Sequence, residues 1–148
     1  MIPPIPFPEN LPSITVVQRV AASDVDSSAI VHFARYPGYA ETAALALLEQ
    51  HGCGPDILAE NGLDLRVREL RTSYRASARC GDVLHLRAGP ARIGRAHLRI
   101  AVQATRTLPP GEPEVIAESE LDFVFYDLLR GQPALVPPDL VTSLQGAR

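Results

Sequence analysis

The sequence has no lysine and no tryptophan, only two cysteines and one methionine, and an aromatic content of 5%. The missing lysine leaves all 14 basic side chains as arginine, which reads as a compositional bias and not as a functional device. Four Tyr and four Phe without Trp speak against a ligand cage built from stacked rings. Cys53 and Cys80 lack the paired CxxC spacing that a zinc site needs, so two isolated thiols are expected and no metal. Positive charge is not in excess either: the formal net charge of -3 argues against a nucleic-acid binder, which concentrates basic charge on one face. The N-terminus has neither a basic stretch nor an unbroken apolar run, so no secretion signal or membrane span is expected and a cytoplasmic location follows. Pro3, Pro4, Pro6 and Pro8 exclude a helix there and predict an extended arm over residues 1–12, lying on a neighbouring surface.

What is present is a hydrophobic content of 46% in 148 residues, enough for one continuous core and one domain over 1–148. Ile14 to Val20 is rich in β-branched residues and predicts a first strand. From about Tyr36 to His51, apolar residues including Tyr39, Ala43, Leu47 and Leu48 recur at helical spacing until Gly52 stops them. Pro37 fits such a helix in its first turn. Pro55 to Glu60 predicts a short second helix. The period then changes, and Leu63–Leu70, Asp82–Ala88, Arg95–Thr107 and Val115–Tyr126 read as four further strands, separated by turns at 79–82, 89–94 and 108–111. Pro137-Pro138-Asp139 predicts one helical turn within a tail of 131–148. A helix this apolar needs cover over most of its circumference, and an antiparallel sheet curling around it supplies that cover. The expectation is an α+β hotdog fold, a five-stranded antiparallel sheet around one long central helix. Its free edge predicts a homo-oligomer, dimer or tetramer.

Chemistry concentrates between the first strand and the long helix, where Asp24-Val25-Asp26 precedes Ile30-Val31-His32-Phe33-Ala34-Arg35-Tyr36. Carboxylates just ahead of a helix are stabilised by its N-terminal N–H groups, so an ordinary capping pair is one reading. The run of Asp24, Asp26, Ile30-Val31, Phe33, Tyr36 and Glu41 resembles the signature of the 4-hydroxybenzoyl-CoA thioesterase family, including its relatives of the YbgC type. The similarity extends through the strand order to about Tyr126. Ala29 stands where that family usually has Gly, and His32 where it usually has another aromatic residue. Enediyne-pathway thioesterases look similar but carry Asn in place of Asp26.

The resemblance implies hydrolysis of an acyl-CoA or an acyl carrier protein thioester, with CoA or phosphopantetheine as part of the substrate and no separate cofactor. It makes Asp26 the catalytic carboxylate, acting as nucleophile or as general base. It makes the backbone N–H of Phe33, or of a neighbour in that turn, the donor that polarises the thioester oxygen. Asp24 becomes a structural support of the loop. Glu41 becomes a catalytic positioning partner or a salt-bridge residue. His32, Arg35 and Tyr36 are candidate contacts to the acyl group, with Arg35 able instead to face a second subunit. Arg92 and Arg95, in the expected turn 92–95, are candidates for the CoA phosphates or are solvated turn residues. His97 reads as a sheet residue. Arg66, Arg68, Arg71, Arg75 and Arg79 form a basic series that would suit an acidic carrier protein or an ion-paired strand face. Two alternatives have other chemistry: a hotdog dehydratase acting on 3-hydroxyacyl thioesters, suggested by His32-Phe33 and Pro37-Gly38, and a noncatalytic acyl-binding subunit.

Overall fold

The structure, a computed structural model, describes residues 3–146. Met1 and Ile2 of the expected arm, and Ala147 and Arg148 of the expected tail, lie outside the described residues. Strand β1 (Ile14–Arg19) is followed by a 3-10 turn (Ala22–Asp24), helices α1 (Arg35–Gln50) and α2 (Pro55–Glu60), and strands β2 (Leu63–Tyr74), β3 (Val83–Ile93), β4 (Leu98–Arg106) and β5 (Glu114–Asp127). A short strand β6 (Gln132–Ala134) and helix α3 (Pro138–Leu144) complete the chain. Every pairing is antiparallel, in the order β1-β3-β4-β5-β2, with β6 beside the end of β5.

Helix α1 begins at Arg35, which places Pro37 in the first turn, where its missing N–H has no intrahelical partner to lose. It stops at Gln50, and Gly52 follows at φ 75°, a left-handed conformation that glycine adopts without strain. Tyr36, Tyr39, Ala40, Ala43, Ala44, Leu47 and Leu48 form its buried side. They meet the concave face of the sheet, where Leu84, Leu86, Leu98, Ile100, Leu121 and Phe123 are fully buried. Burying a side chain of this size contributes about 2 kcal/mol. This core puts the start of α1, with the residues just before it, at one end of the curled sheet.

Several boundaries differ from those expected. Strand β3 does not stop at Gly89 but runs to Ile93, with a bulge between Pro90 and Arg92. Pro90 is tolerated because β1 pairs with β3 only as far as Ala88, so the proline's lost donor faces no partner strand. Arg92 is therefore a strand residue, and the turn lies between Gly94 and His97, closed by the Gly94 N–H to the His97 carbonyl at 3.0 Å. The sheet has six strands and not five, because Gly131, at φ 63°, turns the chain back to lay β6 on β5. The expected tail is a packed element: α3 spans seven residues and buries Leu140 and Leu144 in the core.

The proline arm lies on the convex face. The Ile5 N–H donates to Glu118 Oε2 at 3.1 Å, Arg75 Nη2 donates to the Pro3 carbonyl at 3.0 Å, and the Arg87 guanidinium sits 4.2 Å above the Phe7 ring. Gly89 makes room for the arm: a Cβ there would come within 3.2 Å of the Phe7 and Pro8 rings. On the same face β5 presents Glu118, Glu120 and Asp122, met by Arg71 and Arg68 from β2 and by Arg75 just beyond its end. His97 Nδ1 also reaches Asp122, at 3.1 Å, and Arg66 pairs with Asp64 at 3.0 Å. Most of the basic series is thus committed to ion pairs on the sheet. No helix among the described residues is long and apolar enough to cross a membrane.

Candidate active site

Asp26 opens a tight reversal between two short bridge residues, Val25 and Val31. The Ala29 N–H donates to the Asp26 carbonyl at 3.0 Å, the Asp26 N–H to the Ile30 carbonyl at 3.0 Å, and Ala29 adopts φ 63°. This is a type I turn followed by a left-handed residue, the position at which such hairpins favour glycine. The family's glycine therefore has a backbone reason, and Ala29 holds the same conformation at a steric cost of about 1–2 kcal/mol. Ala29→Gly relieves that cost and adds some unfolded-chain entropy, for a net gain of about 0.5–1 kcal/mol. Thermal unfolding should show a rise of about 1–4 °C.

The turn fixes the Asp26 carboxylate. Its Oδ1 accepts the Ser28 N–H at 2.8 Å, while Oδ2 has no hydrogen-bond partner among the described residues. Asp24 is differently engaged: its Oδ2 accepts the Tyr39 hydroxyl at 2.7 Å and the Ala21 N–H at 3.1 Å, and Arg35 Nε lies 3.8 Å from Oδ1. Burial, together with the bond to Asp24, pushes the Tyr39 phenol well above its ordinary value, so it stays a donor. One acid of the pair is tied into the helix and the other is presented.

The turn is held from behind by the chain at 77–82. The Val31 N–H donates to the Ala78 carbonyl at 2.9 Å, Ile30 bridges Arg79, and the Ala78 N–H donates to the Tyr36 hydroxyl at 3.2 Å. Tyr36 was expected to touch substrate. It is 4% exposed, with burial raising its phenol, and its position on α1 turns the ring into the core. Arg106 braces the same chain, donating from Nη1 to Asp82 Oδ2 at 2.7 Å and to the Ser77 carbonyl at 3.1 Å, and from Nη2 to Glu114 Oε2 at 2.8 Å. The sequence offered one signal for it: the alternation Leu98, Ile100, Val102, Ala104 continues to Arg106, putting a charge where a core residue is due.

In front of Asp26 is an open cavity of about 390 Å³ lined by Ser23, Asp24, Val25, Asp26, His32, Ala34 and Arg35. His32 Nδ1 accepts the Ala34 N–H at 3.2 Å, which leaves the proton of a neutral ring on Nε2. The ring stacks on Phe33 at 4.5 Å between centroids. The Phe33 N–H, between these two wall residues, has no acceptor among the described residues, while its carbonyl accepts the Tyr74 hydroxyl at 3.0 Å. Asp26, the Phe33 region, His32 and Arg35 are thus brought together.

Glu41 is not in that wall. It borders a second pocket of about 400 Å³ farther along α1, with Leu45, Pro55, Ala59, Leu63, Leu65, Val67 and Phe123. Arg92 and Arg95 are separated as well: Arg92 faces a groove with Phe7 and Arg99, and Arg95 a different one beside α3, because β3 ends between them. Among the described residues no group of His, Cys, Asp or Glu is placed to hold a metal ion.

A family model described as the thioesterase-like superfamily matches residues 20–144. The chain belongs to that superfamily. Among its relatives in the superfamily is the acyl-CoA thioester hydrolase YbgC of Escherichia coli O6:H1, 24% identical over 127 residues, covering 86% of this chain and 92% of that one. The structure of 4-hydroxybenzoyl-CoA thioesterase from Pseudomonas sp. strain CBS-3 superposes with a TM-score of 0.77 at 24% identity, covering 87% of this chain and 96% of the other. That of a 1,4-dihydroxy-2-naphthoyl-CoA thioesterase from Synechocystis reaches 0.81 at 16% identity, covering 92% and 98%. These superpositions establish the hotdog fold for this thioesterase-like chain.

Proposed function

We propose that the protein hydrolyses an acyl thioester, releasing a carboxylic acid and a thiol, with CoA or a carrier-bound phosphopantetheine as the leaving group. The observation that carries this reading is a carboxylate held rigidly by its own turn, with one oxygen unengaged, beside a backbone N–H that lacks an acceptor. An N–H fixed at the mouth of a helix stabilises the oxyanion that forms as the carbonyl carbon becomes tetrahedral. Asp26 acts in one of two ways. As nucleophile, a carboxylate oxygen bonds to the carbonyl carbon, the C–S bond breaks, the thiolate takes a proton, and water then hydrolyses the mixed anhydride. As base, it takes a proton from water while that water's oxygen bonds to the carbonyl carbon, and the C–S bond then breaks as the leaving thiolate takes that proton. In this reading His32 Nε2–H makes a polar contact to the substrate and Arg35 brings a charge to the cavity rim. Glu41 is a rim residue of the neighbouring pocket in this reading, and Asp24 and Tyr36 position the turn and the helix.

The free edge of β2, beyond its pairing with β5, supports assembly with a second copy strand to strand. Arg92 and Arg95 open on different grooves, so a CoA nucleotide contacts at most one of them from this chain.

The test is a free-thiol assay with acetyl-, butyryl-, octanoyl-, decanoyl- and benzoyl-CoA and with an acylated carrier protein. Thiol release from at least one supports hydrolysis. Binding without release from any would replace it by a noncatalytic acyl-binding role, and dehydration of a 3-hydroxyacyl thioester without thiol release by a dehydratase.

A further inference from the structure

Three of the four tyrosines meet behind the candidate site, and each hydroxyl is bonded to a different piece of it. The rings of Tyr74, Tyr36 and Tyr39 pack edge to face, with centroids 5.6 Å and 5.9 Å apart. The Tyr39 hydroxyl donates to Asp24, the Tyr36 hydroxyl accepts the Ala78 N–H, and the Tyr74 hydroxyl donates to the Phe33 carbonyl. Tyr74 is the last residue of β2 and pairs with Ala117 of β5, so the sheet places its ring from one side and the buried Tyr36 from the other. The residues that open α1 are thereby tied to a strand.

The turn that receives this bond is held peptide by peptide. The His32 carbonyl accepts the Arg35 N–H at 2.9 Å, which pins the planar peptide joining His32 to Phe33 at its carbonyl end. The next peptide, joining Phe33 to Ala34, is held at both ends: its carbonyl by the Tyr74 hydroxyl at 3.0 Å, and its N–H by His32 Nδ1 at 3.2 Å. With a pinned peptide on each side of Phe33, the torsions of that residue are set. So is the direction of the Phe33 N–H, the one amide of residues 32–35 without an acceptor among the described residues. Two of the three holding bonds come from side chains. A ring without a nitrogen at position 32 would still stack on Phe33, but it would offer the Ala34 N–H no acceptor. Both side-chain bonds lie at the exposed surface, where water replaces them at little loss of stability. What they supply is direction.

We propose that Tyr74 and the Nδ1 edge of His32 are positioning residues, clamping the peptide between Phe33 and Ala34 so that the Phe33 N–H stays aimed at the oxygen that becomes negative in the tetrahedral intermediate. The inference rests on the thioester reading above and adds to it what aims the donor. A backbone donor stabilises a developing oxyanion because it is in place before the charge forms. Loosening the turn therefore weakens the transition state more than the bound ground state, and the loss falls on kcat and not on KM.

The experiment compares wild type with Tyr74→Phe, His32→Phe and His32→Asn. It measures kcat and KM on the acyl-CoA that wild type turns over fastest, the melting temperature, and the backbone amide order parameters of Phe33 and Ala34 in the free protein. Tyr74→Phe keeps the ring against Tyr36 and removes the hydroxyl. It should lower kcat about tenfold, leave KM within about twofold of wild type and move the melting temperature by no more than about 1 °C. The two order parameters should fall from about 0.85 towards about 0.6. His32→Phe should lower kcat and order in the same way. In His32→Asn the side-chain oxygen can accept the N–H two residues on, so most of the kcat and the order should return. Wild-type kcat and order in Tyr74→Phe overturn the clamp, as does a loss carried by KM, or one accompanied by a fall in melting temperature above about 4 °C, which would mark a merely structural role. Failure of His32→Asn to recover kcat and order overturns the part given to His32. If wild type releases no thiol from any thioester, the hydrolytic reading fails, and the order parameters of the free proteins still decide the clamp.

Discussion

Asp26→Asn should leave the fold intact and lower kcat/KM on the best acyl-CoA by at least about 100-fold, the loss expected when a positioned base or nucleophile is removed. Asparagine keeps an oxygen for the Ser28 N–H, so the turn that carries the residue loses little. What disappears is the negative charge and basicity of the second oxygen, which has no hydrogen-bond partner among the described residues and so contributes nothing to the loop. The informative comparison is Asp24→Asn. There the carboxylate receives the Tyr39 hydroxyl and the Ala21 N–H, and weakening two charge-assisted bonds to neutral ones should cost about 1 kcal/mol of stability. The two variants should therefore separate: Asp26→Asn melts with wild type and fails in turnover, whereas Asp24→Asn melts lower and retains most turnover. Equal loss of turnover in both would mean that the acids act as a coupled pair, and full turnover in Asp26→Asn would remove that residue from the mechanism.

The long helix and the runs that form the strands were legible because each rests on local chemistry, whereas the sheet order, with β2 on β5, depends on pairing between distant segments. Pro37 and Gly52 bracket α1 and the β-branched runs mark the strands. The division between a structural Asp24 and a catalytic Asp26 comes only from the family resemblance, since their spacing alone fits a capping pair equally well. The missed features depend on residues far apart in the chain. Gly89 and Pro90 read as a break, yet β3 continues through them, because β1 has already ended on one side and the proline arm presses on the other. Tyr36 matches the family motif in register, but register does not say which way a helical side chain points, and here it points inward. Arg92 and Arg95 are three apart in sequence and face different grooves, since a strand end falls between them.

Arg106→Leu should destabilise the protein by about 3 kcal/mol, lowering the melting temperature by about 6–12 °C. The side chain is 12% exposed and joins Asp82, the Ser77 carbonyl and Glu114. Removing it leaves the Asp82 carboxylate, 19% exposed, without its cation, and an uncompensated charge of this kind accounts for most of the penalty. Loss of the buried Nε, which has no partner among the described residues, offsets part of it. The acid limb of stability identifies the cause. Burial alone would raise the Asp82 carboxyl, but the Arg79 N–H and the Arg106 guanidinium outweigh it and hold the group below its ordinary value of 3.8. A carboxyl whose folded value is depressed stabilises fully above its unfolded value, and the contribution is lost as pH falls through the folded value. Arg106→Leu removes part of that depression, so this group has less stability to lose in acid and the gap between variant and wild type should narrow as pH falls through the wild-type folded value of Asp82, while Asp82→Asn, with no carboxyl there to titrate, should lack this group's acid-limb loss altogether. Because Asp82 and Ser77 flank the segment that receives Val31 and Ile30, the damage should also reach the turn that presents Asp26. At a temperature where both proteins are folded, Arg106→Leu should lower kcat more than it raises KM, since a displaced carboxylate weakens the reacting geometry before it weakens capture of the acyl chain.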